Sequence, residues 1–383
     1  MTHPTSAKRV SSKPGSLTVE WANGEVSEFA SIWLRDNLRE DRDPHSGQRL
    51  VDIADLPEEP KIRSALADDK TVRVEWESES RHASFDLDWL ASHAFGSVRP
   101  RAEFATRLWL EGALLDAPRD FAWATLAEAR GNPTARLDWL TRLVQDGIAF
   151  LSGVPSHERA ILEAMSFVGR VAETNYGLVF DVRSVPQPEN LAYSDLGLGL
   201  HTDNPYREPV PGFQVLHTLI ASREGGESLF ADGFALAEHL RSTDPDAFAQ
   251  LIKTPVPFHY RSKEAELYAE RPLIQVSCRG DVTAVHYNSR SIAPLPLSVQ
   301  HARPFYAAYR RFAALLREPR FQMKYTLNTG DLVAFDNQRT LHGRTGFSSA
   351  KYPRHLQGCY LTRDSVYCQT ALLRRDLSRR ALT

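Results

Sequence analysis

Apolar and polar positions alternate from the start of the patterned region. The run TVEWANGEVSEF, residues 18–29, reads as two strands around Asn23-Gly24, the strongest short hairpin signal, and leads into SIWL. A second phrase of the same form, VRVEWESESRHASFDLDWL, begins at residue 72. Each predicts strand, turn, strand and then a Trp-Leu that starts a helical turn. Residues 16–93 are therefore expected to form a small β-rich domain with a duplicated hairpin theme, its core filled by Trp21, Trp33, Trp76 and Trp89. Residues 94–135 are mixed and carry Pro100, Pro118 and Pro133, which reads as a linker.

From residue 136 the period changes. TARLDWLTRLVQDG is amphipathic at helical spacing and stops at Gly147, and IAFLSGV follows as a buried strand. A second helix is expected over Glu158–Val171. Further on, GFQVLHTLIA, VTAVHYNS, DLVAFDN and HLQGCYLT are short, β-rich and bounded by turn residues, while FALAEHLRST and ARPFYAAYRRFAALLRE keep the helical period. Many strands with a few helices predict a mainly β fold with flanking helices, a sandwich or jelly roll, over residues 136–383.

Composition narrows the function classes. In 383 residues the net charge is −2, so nothing draws the whole chain to nucleic acid or to a membrane surface. Three cysteines without paired spacing argue against a disulfide scaffold and fit a reducing cytoplasm. Residues 1–15 are rich in Ser, Pro and Lys, have no apolar h-region, and are expected to be irregular. The basic end, ALLRRDLSRRAL, reads as a solvated helix. No GxGxxG, Walker A or GxSxG motif is present, which removes the main support for nucleotide-binding and serine-hydrolase readings.

LHTDNPYR, residues 200–207, sets His201 and Asp203 two apart. With 13 His in the chain such a pair arises by chance, so the third ligand decides. LVAFDNQRTLHGRTGF supplies His342 just after a buried strand. In a strand, residues i and i+2 point the same way, so His201 and Asp203 can reach one ion together while His342 comes from a neighbouring strand. Two histidines and one carboxylate form the facial triad of non-haem Fe(II) oxygenases, which leaves three coordination positions open. His82, His93, His217, His259, His286 and His355 stand singly and are read as structural.

These segments, together with EGGESLFADGF at 224–234, GDLVAFDNQRTLHGR at 330–344 and RHLQGCY at 354–360, resemble the Fe(II)/2-oxoglutarate dioxygenases of the taurine dioxygenase superfamily. Within it the chain is most similar to the γ-butyrobetaine hydroxylase/trimethyllysine hydroxylase branch, and IWLRDN at 32–37 matches that branch's small N-terminal domain. The resemblance implies a double-stranded β-helix (jelly-roll) core with Fe(II), 2-oxoglutarate as cosubstrate, and O2. It gives His201, Asp203 and His342 as iron ligands. It gives Arg354 and Ser228 as partners of the far carboxylate of 2-oxoglutarate, with Arg344 competing for the arginine role. A planar guanidinium suits that task because it grips a carboxylate through two parallel hydrogen bonds.

The resemblance also implies an aromatic cage for a trimethylammonium group, which has no N–H and is held by cation–π attraction. The matching positions are Tyr176, Phe180, Tyr193 and Tyr360. An anion at the other end of the substrate would meet Asn190 and the segment YNSRS, through Asn288, Ser289 or Arg290. The implied substrate is a small quaternary ammonium zwitterion, γ-butyrobetaine or its phosphonate analogue 2-(trimethylammonio)ethylphosphonate. The alternatives are a sulfonate or other small-acid dioxygenase, and a degenerate oxygenase acting as a binding or homodimerisation module. One departure is plain: WLRDNLREDRDPHSG lacks the cysteines with which that branch often binds structural zinc. No structural zinc is expected, and His82 is the orphaned candidate ligand.

Overall fold

A computed structural model describes residues 6–77, 82–96, 104–109, 121–184, 194–348 and 353–381. The chain divides into two compact units, Met1–Glu103 and Phe104–Thr383.

The first unit builds the same element series twice. Strands Ala7–Lys13, Ser16–Trp21 and Val26–Ala30 form one antiparallel sheet and run into helix Ser31–Asp36. Strands Ile62–Ala67, Thr71–Trp76 and His82–Asp86 form the second and run into helix Leu87–His93. The alternation places Leu17, Val19 and Trp21 of one copy and Val72, Val74 and Trp76 of the other in a single core. Trp33 and Trp89, from the two helices, meet with ring centroids 5.3 Å apart. Gly24 takes a φ of +86° in the first hairpin. The segment after WLRDN is held by a buried ion pair, Arg35 to Asp41 at 2.5 Å, and by Arg49 on Asp36. His82 lies at the exposed edge, 3.4 Å from Glu75.

Two expectations change here. Residues 7–13 are not irregular: they pair with Ser16–Trp21 as an edge strand, because a free row of main-chain donors and acceptors outweighs a polar composition. The expected linker also holds regular structure, strand Ala122–Thr125 and helix Leu126–Gly131, the latter started by a Thr125–Glu128 capping box. Pro133 does not break the chain. It sits in the first turn of helix Pro133–Asp146, where its missing N–H costs nothing.

The second unit is built on two main sheets, with two further two-stranded hairpins among the described residues. The larger has the order Phe180–Arg183, His355–Leu361, Phe213–Ile220, Leu332–Asp336, Ile148–Ser152, Ala122–Thr125, with Val171–Ala172 also on His355–Leu361. The smaller has the order Leu198–His201, Thr340–Arg344, Ser228–Asp232, Met323–Tyr325. Phe150, Phe230, Met323, Val333, Phe335 and Leu356 pack together in one core cluster drawn from strands of both sheets, the double-stranded β-helix arrangement. Helix Pro133–Asp146 ends at Gly147, φ +74°, as its glycine stop requires. Its apolar face packs with the larger sheet through Trp139, Leu140 and Leu143. The helix expected over 158–171 is shorter, Ala160–Met165. Helices Gly233–Thr243, Pro245–Lys253 and Val299–Leu315 share a third core. The basic C-terminal stretch lies in helix Arg363–Ala381. No helix among the described residues is long and apolar enough to cross a membrane.

Candidate active site

A cavity of about 420 Å³ is lined by residues of both sheets of the second unit. The smaller sheet supplies the metal-ligand candidates. His201 ends its strand and pairs in register with His342 on the neighbouring one, so the two rings lie 4.3 Å apart. Close approach of these strands needs Gly343, where an added Cβ would come within 2.4 Å of the Leu198 carbonyl oxygen. Asp203 follows two residues after His201. One ligand atom from each of the three lies within 4.8 Å of the others, and among the described residues no other such group is found.

The surroundings suit ligation. His201 Nδ1–H donates to the Gly199 carbonyl at 2.9 Å, which leaves the Nε2 lone pair for a metal. Burial, with His201 beside it, pushes His342 down to about 3, into its neutral, ligating form. Burial alone would raise the Asp203 carboxyl. His342, His201 and the Tyr360 hydroxyl outweigh it and hold the group well below the usual carboxylate range. Asn337, fully buried, fixes the Asp203 backbone from both sides: Oδ1 accepts from Asp203 N–H at 2.7 Å and Nδ2 donates to the Asp203 carbonyl at 3.0 Å. Imidazole and carboxylate donors without thiolate fit Fe(II), and the residues present therefore suit that ion.

Ser228, Arg344 and Arg354 line the same cavity. The two arginines differ. Arg344 is engaged, donating to the Ser194 carbonyl at 2.6 Å. Arg354 is buried over the Phe347 ring, 5.9 Å from its centroid, and no oxygen among the described residues accepts a hydrogen bond from it. Burial and the neighbouring Arg344 push it down to about 10, so it is a cation at neutral pH. A buried unpaired guanidinium calls for an anion, and a ligand carboxylate meets that need. Gly226 makes room for it: φ is +71°, and a Cβ there would lie 2.9 Å from Arg354 Cδ.

Aromatic side chains line the rest. Phe180 and Tyr360 are 5.1 Å apart, Tyr176 and Phe180 6.3 Å. Phe180 rests on Gly358, its in-register partner, where a Cβ would come within 2.4 Å of the ring. Two further tyrosines join that sequence reasoning did not single out. Tyr260 sits on the hairpin strand Val256–Arg261, edge-on to Tyr176 at 6.2 Å, and Tyr206 stacks on Tyr260 at 5.1 Å. Tyr206 lay in view in HTDNPYR, but nothing local to Tyr260 marks it. Gln214 also lines the cavity, and its Oε1 is buried with no partner among the described residues.

The anion-binding candidates separate. Asn288 lines the cavity, but its amide is already used: Nδ2 donates to the Thr202 carbonyl at 3.1 Å and Oδ1 accepts from Arg290 N–H at 3.3 Å. Arg290 lines the cavity too, whereas Ser289 is absent from the lining. Ser291 is there instead. Asn190 and Tyr193 lie outside the described residues.

Comparison with known proteins agrees with this geometry. The family "Taurine catabolism dioxygenase TauD, TfdA family" matches residues 118–360, and "Gamma-butyrobetaine hydroxylase-like, N-terminal" matches residues 8–91. The gamma-butyrobetaine dioxygenase of Pseudomonas sp. (strain AK-1) is 34% identical over 367 residues, 94% of each chain. Dioxygenase str8 of Strobilurus tenacellus is 32% identical over 362 residues, 89% of this chain and 84% of that one. The Homo sapiens gamma-butyrobetaine dioxygenase is 27% identical over 372 residues, 94% of each. With its triad, its jelly roll and these matches, the chain belongs to the TauD/TfdA family of Fe(II)/2-oxoglutarate dioxygenases.

Proposed function

We propose that this enzyme hydroxylates a C–H of a small zwitterion with a trimethylammonium head. The observation that carries the reading is the group of aromatic side chains, Tyr176, Phe180, Tyr206, Tyr260 and Tyr360, in one cavity with the triad. A quaternary ammonium presents no hydrogen-bond donor, and ring faces attract it at about 0.5–2 kcal/mol per contact. The gamma-butyrobetaine dioxygenases among its relatives support the same substrate class.

Bound at His201, Asp203 and His342, Fe(II) supplies the redox chemistry that couples decarboxylation of 2-oxoglutarate, to succinate and CO2, to hydroxylation by O2. The chain does the rest. Arg354 and Ser228 bind and orient the far carboxylate of 2-oxoglutarate, Arg354 through paired charge-assisted bonds. The aromatic group holds the ammonium. Arg290, whose guanidinium has no acceptor among the described residues, takes the substrate anion. Fixing both ends of the substrate selects the carbon that reacts, since a bound C–H is attacked by proximity.

The test loads the enzyme anaerobically with Fe(II) and 2-oxoglutarate, then admits O2 with γ-butyrobetaine or 2-(trimethylammonio)ethylphosphonate. Succinate and hydroxylated product are followed by mass spectrometry. Succinate matched one-to-one by product is expected with at least one of them, and the preferred one names the anion. Coupled turnover of a sulfonate or other small acid instead, with neither ammonium compound oxidised, refutes the reading. His201→Ala is expected to abolish turnover.

A further inference from the structure

The residue after the carboxylate ligand has a conformation and a set of partners that ligation alone does not require. Asn204 is buried and has a φ of +55°, a left-handed backbone that few side chains other than Asn tolerate. Its amide is used at both ends. Oδ1 accepts from the Tyr206 hydroxyl at 2.6 Å, and Nδ2 donates to the Tyr360 hydroxyl oxygen at 3.1 Å. Tyr360 in turn donates to Asp203 Oδ2 at 2.9 Å.

The chemistry of the groups sets the direction of this chain. An ionised carboxylate only accepts, so the single Tyr360 proton goes to Asp203. The Tyr360 oxygen then needs a donor on its other side, and the amide N–H provides one. The carbonyl of the same amide is left for the Tyr206 hydroxyl. A carboxylate at 204 would offer no donor and would compete with Asp203 for the Tyr360 proton.

We propose that Asn204 is a positioning residue for the metal ligand: by orienting Tyr360 it reserves Asp203 Oδ2 for a hydrogen bond and leaves Oδ1 to the metal. Oδ1 is the oxygen 3.3 Å from His201 Nε2, and Oδ2 lies 3.8 Å from His342 Nε2. A carboxylate held this way occupies one coordination position. One free to turn can occupy two and remove a position that the cosubstrate or O2 needs. Asn337 holds the backbone of Asp203 and Asn204 governs its side chain. This role is independent of which substrate the aromatic group binds.

The test uses Co(II) as the probe, titrated into the metal-free full-length protein and followed by its visible absorption. Asn204→Gly keeps the left-handed backbone and removes the amide. Asn204→Gly and Tyr360→Phe are each expected to weaken Co(II) binding about tenfold and to alter the Co(II) spectrum in the same way. The double variant is expected to bind no more weakly than Tyr360→Phe alone, because the first residue acts through the second. Metal-free Asn204→Gly loses two buried hydrogen bonds and should unfold somewhat below the wild type, so Co(II) binding is read well below that transition. Wild-type Co(II) affinity and spectrum in Asn204→Gly overturn the proposal, as do losses that multiply in the double variant. If Asn204→Gly does not fold, Asn204→Asp decides: a Tyr360→Phe-like spectrum supports the proposal and a wild-type spectrum overturns it.

Discussion

The aromatic and arginine-bearing regions of the cavity are finished to different degrees. Among the aromatic side chains two hydroxyls, those of Tyr206 and Tyr360, are tied into the Asn204–Asp203 chain, and their rings line the cavity. In the arginine region Arg344 is tied to main-chain carbonyl oxygen while Arg354 is not. The first region is preorganised to hold a group that cannot hydrogen-bond, through many weak contacts. The second holds a guanidinium, that of Arg354, with no acceptor among the described residues, and a single carboxylate satisfies it. Losses in the first should therefore be graded, and in the second steep.

The largest effect is expected at Arg354. Arg354→Met should raise the KM for 2-oxoglutarate roughly 100-fold, since hydrogen bonds to charged groups contribute about 1.5–3 kcal/mol each. Arg344→Met should change that KM only a few-fold, on the order of 1 kcal/mol. Steady-state succinate formation measures both, and the reverse order would make Arg344 the anchor. Next comes ligand-induced stabilisation. With metal present, 2-oxoglutarate at about 100 times its Kd should stabilise the fold by ~2.7 kcal/mol, read as a rise in Tm, and Arg354→Met should lose that rise at the same concentration. A smaller effect is expected in the aromatic region: Tyr176→Leu or Tyr260→Leu should raise the substrate KM about 3- to 30-fold at constant 2-oxoglutarate KM. Tyr176→Phe, which keeps the ring face, should stay near wild type. A uniform total loss from every aromatic substitution would erase the contrast between the regions. The smallest effect belongs to Phe347, whose ring lies 5.9 Å from Arg354 and 5.6 Å from Arg344. Phe347→Leu should raise the 2-oxoglutarate KM about two- to threefold, by ~0.5 kcal/mol.

Much of the second unit was legible because its signals are local. The strands at Phe213–Ile220, Leu332–Asp336 and His355–Leu361 are short apolar runs between turn residues, and Gly147 ends its helix where the sequence says. The two-residue spacing of His201 and Asp203 also pointed to the triad, but not through strand geometry: the strand ends at His201, and Asp203 is placed by the turn that follows, with Asn337 holding its backbone. What stayed hidden depends on contacts made at a distance. Tyr260 reaches the cavity from a hairpin outside both sheets, and an aromatic in a strand is by itself only a core residue. In YNSRS the turn decides which hydroxyl looks inward, and it turns Ser291 rather than Ser289 to the cavity. The duplicated hairpins of the first unit were visible, yet the edge strand before them was not, since its pairing is main-chain and leaves little mark on side-chain pattern.

Phe180 lies against a residue that has no side chain. Because Gly358 supports the ring from the strand side, the length of the proposed aromatic slot is adjustable from a position that does not line the cavity. Gly358→Ala would drive the ring forward by about the width of a methyl group, shortening the space for a chain between ammonium and anion. Homologous ligands that differ by one methylene could then be ranked afresh without altering a single group that contacts them, which makes residue 358 a ruler for substrate length set into the wall of the barrel.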